Sequence, residues 1–126
     1  PEAQARRFRE MGCRNVLLKG GDSDRTDVKT DWLSLDGSDQ LMPLTADCVD
    51  TRNTHGTGCT LSSAIASYLA LGCGLEDAVR RGKLYIPRAL QAGAFVTVGR
   101  GHGPVNHFFN PRHLKNYNPK HYGCKD

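Results

Sequence analysis

The sequence predicts an α/β fold, and three observations carry that expectation. Residues 2–11 read as the end of a helix closed by Gly12, and the short apolar run Asn15-Val16-Leu17-Leu18-Lys19 follows, ending in Gly20-Gly21. Helix, glycine stop and buried strand in that order is the rhythm of a sheet with helices on its faces. Two further apolar runs, 30–35 and 40–44, flank Asp36-Gly37, a β-hairpin signal. Two amphipathic helices then occupy most of residues 61–92.

The hairpin's second run contains Pro43, which cannot donate to a central ladder, so that strand belongs on an edge or near an end. Residues 22–29 are polar and predict a loop. Residues 51–59 are rich in Thr, Asn and Gly, and helical spacing begins at once after them. Leu61, Ala64, Ile65, Tyr68 and Leu69 fall at i, i+3, i+4, i+7 and i+8 and define one apolar face. Gly72 closes that helix. The second helix, about 75–92, presents Leu75, Val79, Ile86 and Leu90 as its buried stripe. Pro87 lies inside it, which predicts a kink or break near 81–87. Gly99-Arg100-Gly101-His102-Gly103-Pro104 reads as a flexible glycine-rich loop. Residues 110–126 form a polar tail.

The chain has 126 residues, enough for one domain, with 38% hydrophobic residues. No apolar run approaches the roughly 18 residues that a spanning helix needs. The first residues are charged and do not read as a signal peptide. The sequence reads as starting inside a helix, so an upstream portion is expected. Lys and Arg total 17 against 13 acids, a net charge of +4. That excess suits an anionic ligand such as a nucleotide. No basic run is interleaved with aromatics, so nucleic acid is not an expected partner, and without a long apolar run neither is a membrane. Cys13, Cys48, Cys59, Cys73 and Cys124 are odd in number and show no CxxC spacing. Reduced thiols in the cytoplasm are the simplest reading.

The chemistry concentrates at Gly56-Thr57-Gly58-Cys59, directly ahead of an amphipathic helix. Glycines let a ligand approach the backbone. The first turn of a helix offers N–H groups without internal partners, and the macrodipole adds positive potential. Together these make an anion site, suited to charge that grows during phosphoryl transfer. A cysteine at that place is favoured as thiolate. It can act as a base toward a substrate hydroxyl or as a covalent nucleophile, and the residues alone leave both open. A small buried Cys at an ordinary helix start is the plain structural alternative. The turn is neither a Walker-type loop, since no GK[ST] occurs, nor a dinucleotide fingerprint, since Leu61 holds the third glycine position.

The longer string Val49-Asp50-Thr51-Arg52-Asn53-Thr54-His55-Gly56-Thr57-Gly58-Cys59-Thr60-Leu61-Ser62-Ser63-Ala64-Ile65-Ala66 resembles the signature of the hydroxymethylpyrimidine/phosphomethylpyrimidine kinases of thiamine biosynthesis, members of the ribokinase-like superfamily. Val16-Leu17-Leu18-Lys19-Gly20-Gly21 resembles that family's strand and nucleotide-side loop. Gly82-Lys83-Leu84-Tyr85 resembles its Lys-x-Tyr helix segment, and 101–108 its C-terminal ending. The resemblance spans roughly residues 2–109. It implies a ribokinase-like α/β fold, a parallel central sheet flanked by helices and bearing a β-hairpin, of which only the C-terminal portion is present. Residues 1–109 would be the C-terminal ATP-binding and catalytic portion, and 110–126 a tail without counterpart. Gly56, Thr57 and Gly58 would form the anion hole and Cys59 the catalytic base. Lys19 and Gly21 would lie near the nucleotide phosphates, and Lys83 would face the ATP region.

The implied reaction is ATP-dependent phosphorylation, with Mg²⁺, of 4-amino-5-hydroxymethyl-2-methylpyrimidine and then of its monophosphate. Asp22 stands where the family often has His, Pro87 is unusual in its helix, and the family's pyrimidine-binding half lies outside this sequence. A pyridoxal kinase with a Cys at the same place, or a nucleotide-binding fragment without catalysis, are the alternatives. No residue is assigned as a metal ligand: His102 and His107 flank a glycine loop without a nearby carboxylate. Arg80 and Arg81 read as solvated, His55 as a hydrogen-bonding member of its turn, and Trp32 as core or flap packing. Asp50 is placed to accept backbone N–H bonds in the glycine turn. The sequence leaves homo-oligomerisation open.

Overall fold

The computed structural model describes residues 1–20, 28–47, 54–95, 97–107 and 109. The chain divides into two compact units, Pro1–Cys48 and Val49–Asp126.

The first unit holds α1 (Glu2–Glu10), β1 (Val16–Leu18), β2 (Val28–Ser34) and β3 (Leu41–Asp47). Helix α1 stops where the sequence said it would. Gly12 takes φ +102°. Its N–H bonds to the Arg9 carbonyl and the Cys13 N–H to the Phe8 carbonyl. These two bonds make a Schellman stop, which needs a left-handed residue and so favours glycine. The strands form one sheet in the order β1-β2-β3. Both pairings are antiparallel, Leu17 opposite Leu33 and Trp32 opposite Pro43. Among the described strands β3 is an edge, which is where Pro43 is tolerated.

The hairpin turn spans Leu35 to Ser38. Ser38 N–H closes on the Leu35 carbonyl, and Gly37 supplies φ +78° at the third position of that turn. Arg9 of α1 secures it, donating from Nη2 to the carbonyls of Leu35 (2.5 Å) and Ser38 (2.6 Å). Leu33, Leu44 and Ala5 form the buried apolar set, and Trp32 is half-buried.

The second unit is built on α2 (Thr57–Ala70) and α3 (Leu75–Gly93). A second Schellman stop ends α2: Gly72 at φ +95° bonds to Leu69, and Cys73 to Tyr68. The stripe anticipated on α3 is only partly the buried one. Val79 is buried, but its companions are Ala78, Gly82, Ala89 and Gly93 rather than Leu75, Ile86 and Leu90, which are half-buried. Close approach is the reason. A Cβ at Gly82 would sit 3.0 Å from Ile65 Cγ1 and 3.4 Å from Leu61 Cδ1 of α2. Helix α3 also runs through Pro87 without a break, at the expense of the bond that Pro87 cannot donate to Lys83. Arg80 and Arg81 pair with Glu76 and Asp77 one turn back, the solvated role anticipated for them.

The glycine-rich loop is docked from Gly103 onward, where the sequence suggested a flexible segment. Its Gly103 carbonyl accepts from His55 N–H (3.0 Å), Asn106 N–H donates to the Ala89 carbonyl (3.1 Å), and Val105 is buried. His55 and Pro104 form a parallel bridge. A Cβ at Gly93 would meet Asn106 N at 3.1 Å, so α3 ends in glycine where this loop crosses it.

Candidate functional site

The front of α2 is built to leave amides open. Gly56 precedes the helix at φ +83°, ψ 9°, a left-handed conformation that strains any residue with a Cβ. It carries no side-chain cap, and no acidic residue occupies the first turn. The Gly56 carbonyl accepts the Thr60 N–H at 2.8 Å and the Thr60 hydroxyl at 2.7 Å. Thr57 N–H makes a long 3.3 Å bond to Thr54. The N–H groups of Gly58 and Cys59 have no hydrogen-bond partner among the described residues. Among the described residues, a Cβ at Gly58 would meet nothing within 4 Å beyond its chain neighbours and its own helix backbone. No described neighbour therefore demands glycine there. Cys59 is a free, exposed thiol, not the small buried cysteine of the structural alternative.

A second set of contacts braces this turn. Thr60 is buried, and its Oγ1 lies 2.8 Å from His107 Nε2. The hydroxyl has one hydrogen, and a carbonyl only accepts, so that hydrogen goes to Gly56. His107 must then donate from Nε2. The His107 carbonyl accepts from the Tyr85 hydroxyl at 3.1 Å, so one residue joins the loop to α2 and to α3. Burial, followed by the nearby Tyr68, raises the Tyr85 phenol above its ordinary value and keeps it a donor.

In the first unit, Lys19 follows β1 and donates from Nζ to Asp31 Oδ2 at 2.8 Å. Gly20 N–H donates to Asp31 Oδ1, also at 2.8 Å. A side chain at position 20 would overlap the Thr30 carbonyl oxygen, so glycine lets the two backbones touch. Lys83 is half-buried in α3. Gly21 and Asp50 lie outside the described residues, as do residues 110–126. Of the residues singled out from sequence, Gly56, Thr57, Gly58 and Cys59 come together as one turn, with Lys83 in the same unit and Lys19 in the other.

The sequence assigned no positioning role to Asp31, Thr60, Tyr85 or His107. A signal existed for Asp31, a charge two residues before Leu33 and so on the same face of a strand. His107 had none, because its partner is 47 positions away. Cys73 is disulfide-bonded, whereas Cys13 and Cys59 are free, which corrects the expectation of reduced thiols throughout. Among the described residues no group of three His, Cys, Asp or Glu is placed to hold a metal ion. No described helix is long and apolar enough to cross a membrane.

The chain is 46% identical over 105 residues to the hydroxymethylpyrimidine/phosphomethylpyrimidine kinase of Rhizobium meliloti, covering 83% of this chain and 38% of that protein. It is 44% identical over 106 residues to the thiamine biosynthesis bifunctional protein ThiED of Geobacter sulfurreducens, covering 82% and 20%. The chain thus spans about a fifth to two-fifths of the length of these relatives. Among solved structures, the pyridoxal kinase of Staphylococcus aureus superposes with a TM-score of 0.76 at 30% identity, over 88% of this chain and 40% of that one. The same enzyme in complex with AMP-PCP and pyridoxal gives 0.73 at 31%, over 82% and 37%. The fold is accordingly a ribokinase-like α/β fold in part, here with its antiparallel hairpin region and its α2–α3 pair. A family model described as phosphomethylpyrimidine kinase matches residues 1–106, and the chain belongs to that family.

Proposed function

We propose that this chain supplies the nucleotide-side and phosphoryl-transfer portion of an ATP-dependent kinase for 4-amino-5-hydroxymethyl-2-methylpyrimidine and its monophosphate. The observation that carries the reading is the pair of open amides at Gly58 and Cys59, next to an exposed thiol at the front of an uncapped helix. Such amides stabilise negative charge on a migrating phosphoryl group without reorganising.

In this scheme the Cys59 sulfur takes the proton of the substrate hydroxyl. The substrate oxygen forms a bond to the γ-phosphorus as the bond to the ADP oxygen breaks. Gly56, Thr57 and Gly58 shape the anion hole. By family resemblance Lys19 and Gly21 are assigned near the nucleotide phosphates and Lys83 to the ATP region. Residues 1–109 form the working portion and 110–126 a tail, in a cytoplasmic protein. Mg²⁺ belongs to the scheme by family resemblance. The described residues do not furnish a donor set for it, and no step here runs through it.

A pyridoxal kinase is the second reading, favoured by the 0.76 superposition. The pyrimidine reading is preferred because relatives so named reach 46% identity, against 30% for the pyridoxal kinase. ADP release by the full-length protein containing this chain tests both. Faster turnover, per unit KM, on the hydroxymethylpyrimidine than on pyridoxal supports the first reading; the opposite order establishes the second. ADP binding without release on either alcohol would leave a non-catalytic nucleotide module.

A further inference from the structure

We propose that Asp31 is a positioning residue for phosphate binding, fixing the Lys19 ammonium at the end of β1 so that its unused donors meet the phosphates of a nucleotide. The inference rests on the nucleotide reading above and adds a residue to it.

The pair is asymmetric. The Asp31 side chain is 2% exposed and the Lys19 side chain 57%. The anion is sealed inside the sheet and the cation stands open. A buried carboxylate is unfavourable unless its oxygens are satisfied. Here consecutive residues satisfy them, Lys19 Nζ on Oδ2 and Gly20 N–H on Oδ1, each at 2.8 Å. The carboxylate therefore cannot rotate, and the ammonium is held at a fixed point just past the strand.

Stability alone is a weak reason for this arrangement. An apolar residue at a buried position often serves as well as an ion pair or better, and a half-exposed lysine contributes little as a structural partner. An ammonium has three N–H donors. One goes to Asp31, and Lys19 has no other partner among the described residues. A fixed, solvent-facing cation with donors to spare is suited to an anionic ligand. Gly20 completes the device. A Cβ there would overlap the Thr30 carbonyl oxygen, so only glycine brings the backbone close enough for its N–H to reach Asp31.

The test is ADP titration by calorimetry on the full-length protein, with melting temperature followed in parallel. Asp31→Asn keeps size and an acceptor for Gly20 but removes the charge that holds Lys19. Its Kd for ADP is expected to rise about tenfold, as is that of Lys19→Ala. In the double variant Asp31→Asn adds less than about twofold to Lys19→Ala, because it acts through the lysine. Fully additive effects, or an unchanged Kd in Asp31→Asn, would overturn the inference while leaving the nucleotide reading intact. If Asp31→Asn does not fold, Lys19→Arg decides. It keeps the charge but moves it into a planar fork, so Kd rises about tenfold if position matters; an unchanged Kd overturns the proposal. Failure of the wild-type protein to bind ADP would overturn the nucleotide reading and this inference with it.

Discussion

The Thr60 hydroxyl and His107 Nε2, 47 residues apart in the chain, meet at 2.8 Å. Because Thr60 spends its only hydrogen on the Gly56 carbonyl, the imidazole is the donor. That requirement is met by a ring that carries a proton on Nε2.

Replacing His107 with Phe removes the donor and leaves the buried Thr60 oxygen one bond short. The expected loss is about 1 kcal/mol in a urea titration. His107→Gln, which keeps an N–H donor, should recover at least half of it. Nitrogen chemical shifts should place the neutral-form proton on Nε2; a proton on Nδ1 would contradict the assignment.

Gly58→Ala separates stability from function. Among the described residues nothing beyond its own helix lies within 4 Å of the added methyl, and alanine is the better helix former by about 1 kcal/mol. The melting temperature should hold or rise. Turnover should fall at least about tenfold, because the methyl stands where a phosphoryl group would approach the open amides. Full turnover in a stable variant would mean that no ligand approaches that amide.

Tyr85 gives a pH signature. Its phenol is raised above the ordinary value of 10.0, by burial first and by Tyr68 second. The folded state therefore binds this proton more tightly than the unfolded chain does. The associated stability is fully present below the unfolded value and is lost as pH rises through the folded one. The wild-type protein should show this alkaline loss in melting temperature, and Tyr85→Phe should lack the step while losing the bond to the His107 carbonyl at every pH. The same alkaline step in both proteins would assign it to another group.

What was legible in the sequence was local. Gly12 and Gly72 announce helix stops because a Schellman turn needs a left-handed residue, and both glycines adopt one. Asp36-Gly37 marks the hairpin, and the spacing after Cys59 marks α2. The turn from Gly56 to Cys59 was legible as a turn for the same reason, since its geometry comes from consecutive residues. What was hidden is set by distant partners. Ala78, Gly82, Ala89 and Gly93 are too small to register as an apolar stripe, yet the space beside Gly82 and Gly93 is taken by α2 and the 104–106 backbone. Asp31 reads as a surface charge until the sheet closes over it. Pro87 reads as a break, but the helix on either side of it tolerates the missing bond. His107 lies far from Thr60 in the chain and gives no sign of the contact.

The most direct measurement on the central claim is Cys59→Ala in the full-length protein, with ADP-induced thermal shift and ADP release on the hydroxymethylpyrimidine followed together. With an exposed thiol acting as base beside the open amides, the thermal shift should match wild type within about 1 °C, and kcat should fall about 10²–10⁴-fold. Turnover near the wild-type rate, with nucleotide binding intact, would contradict the assignment of the proton to this sulfur.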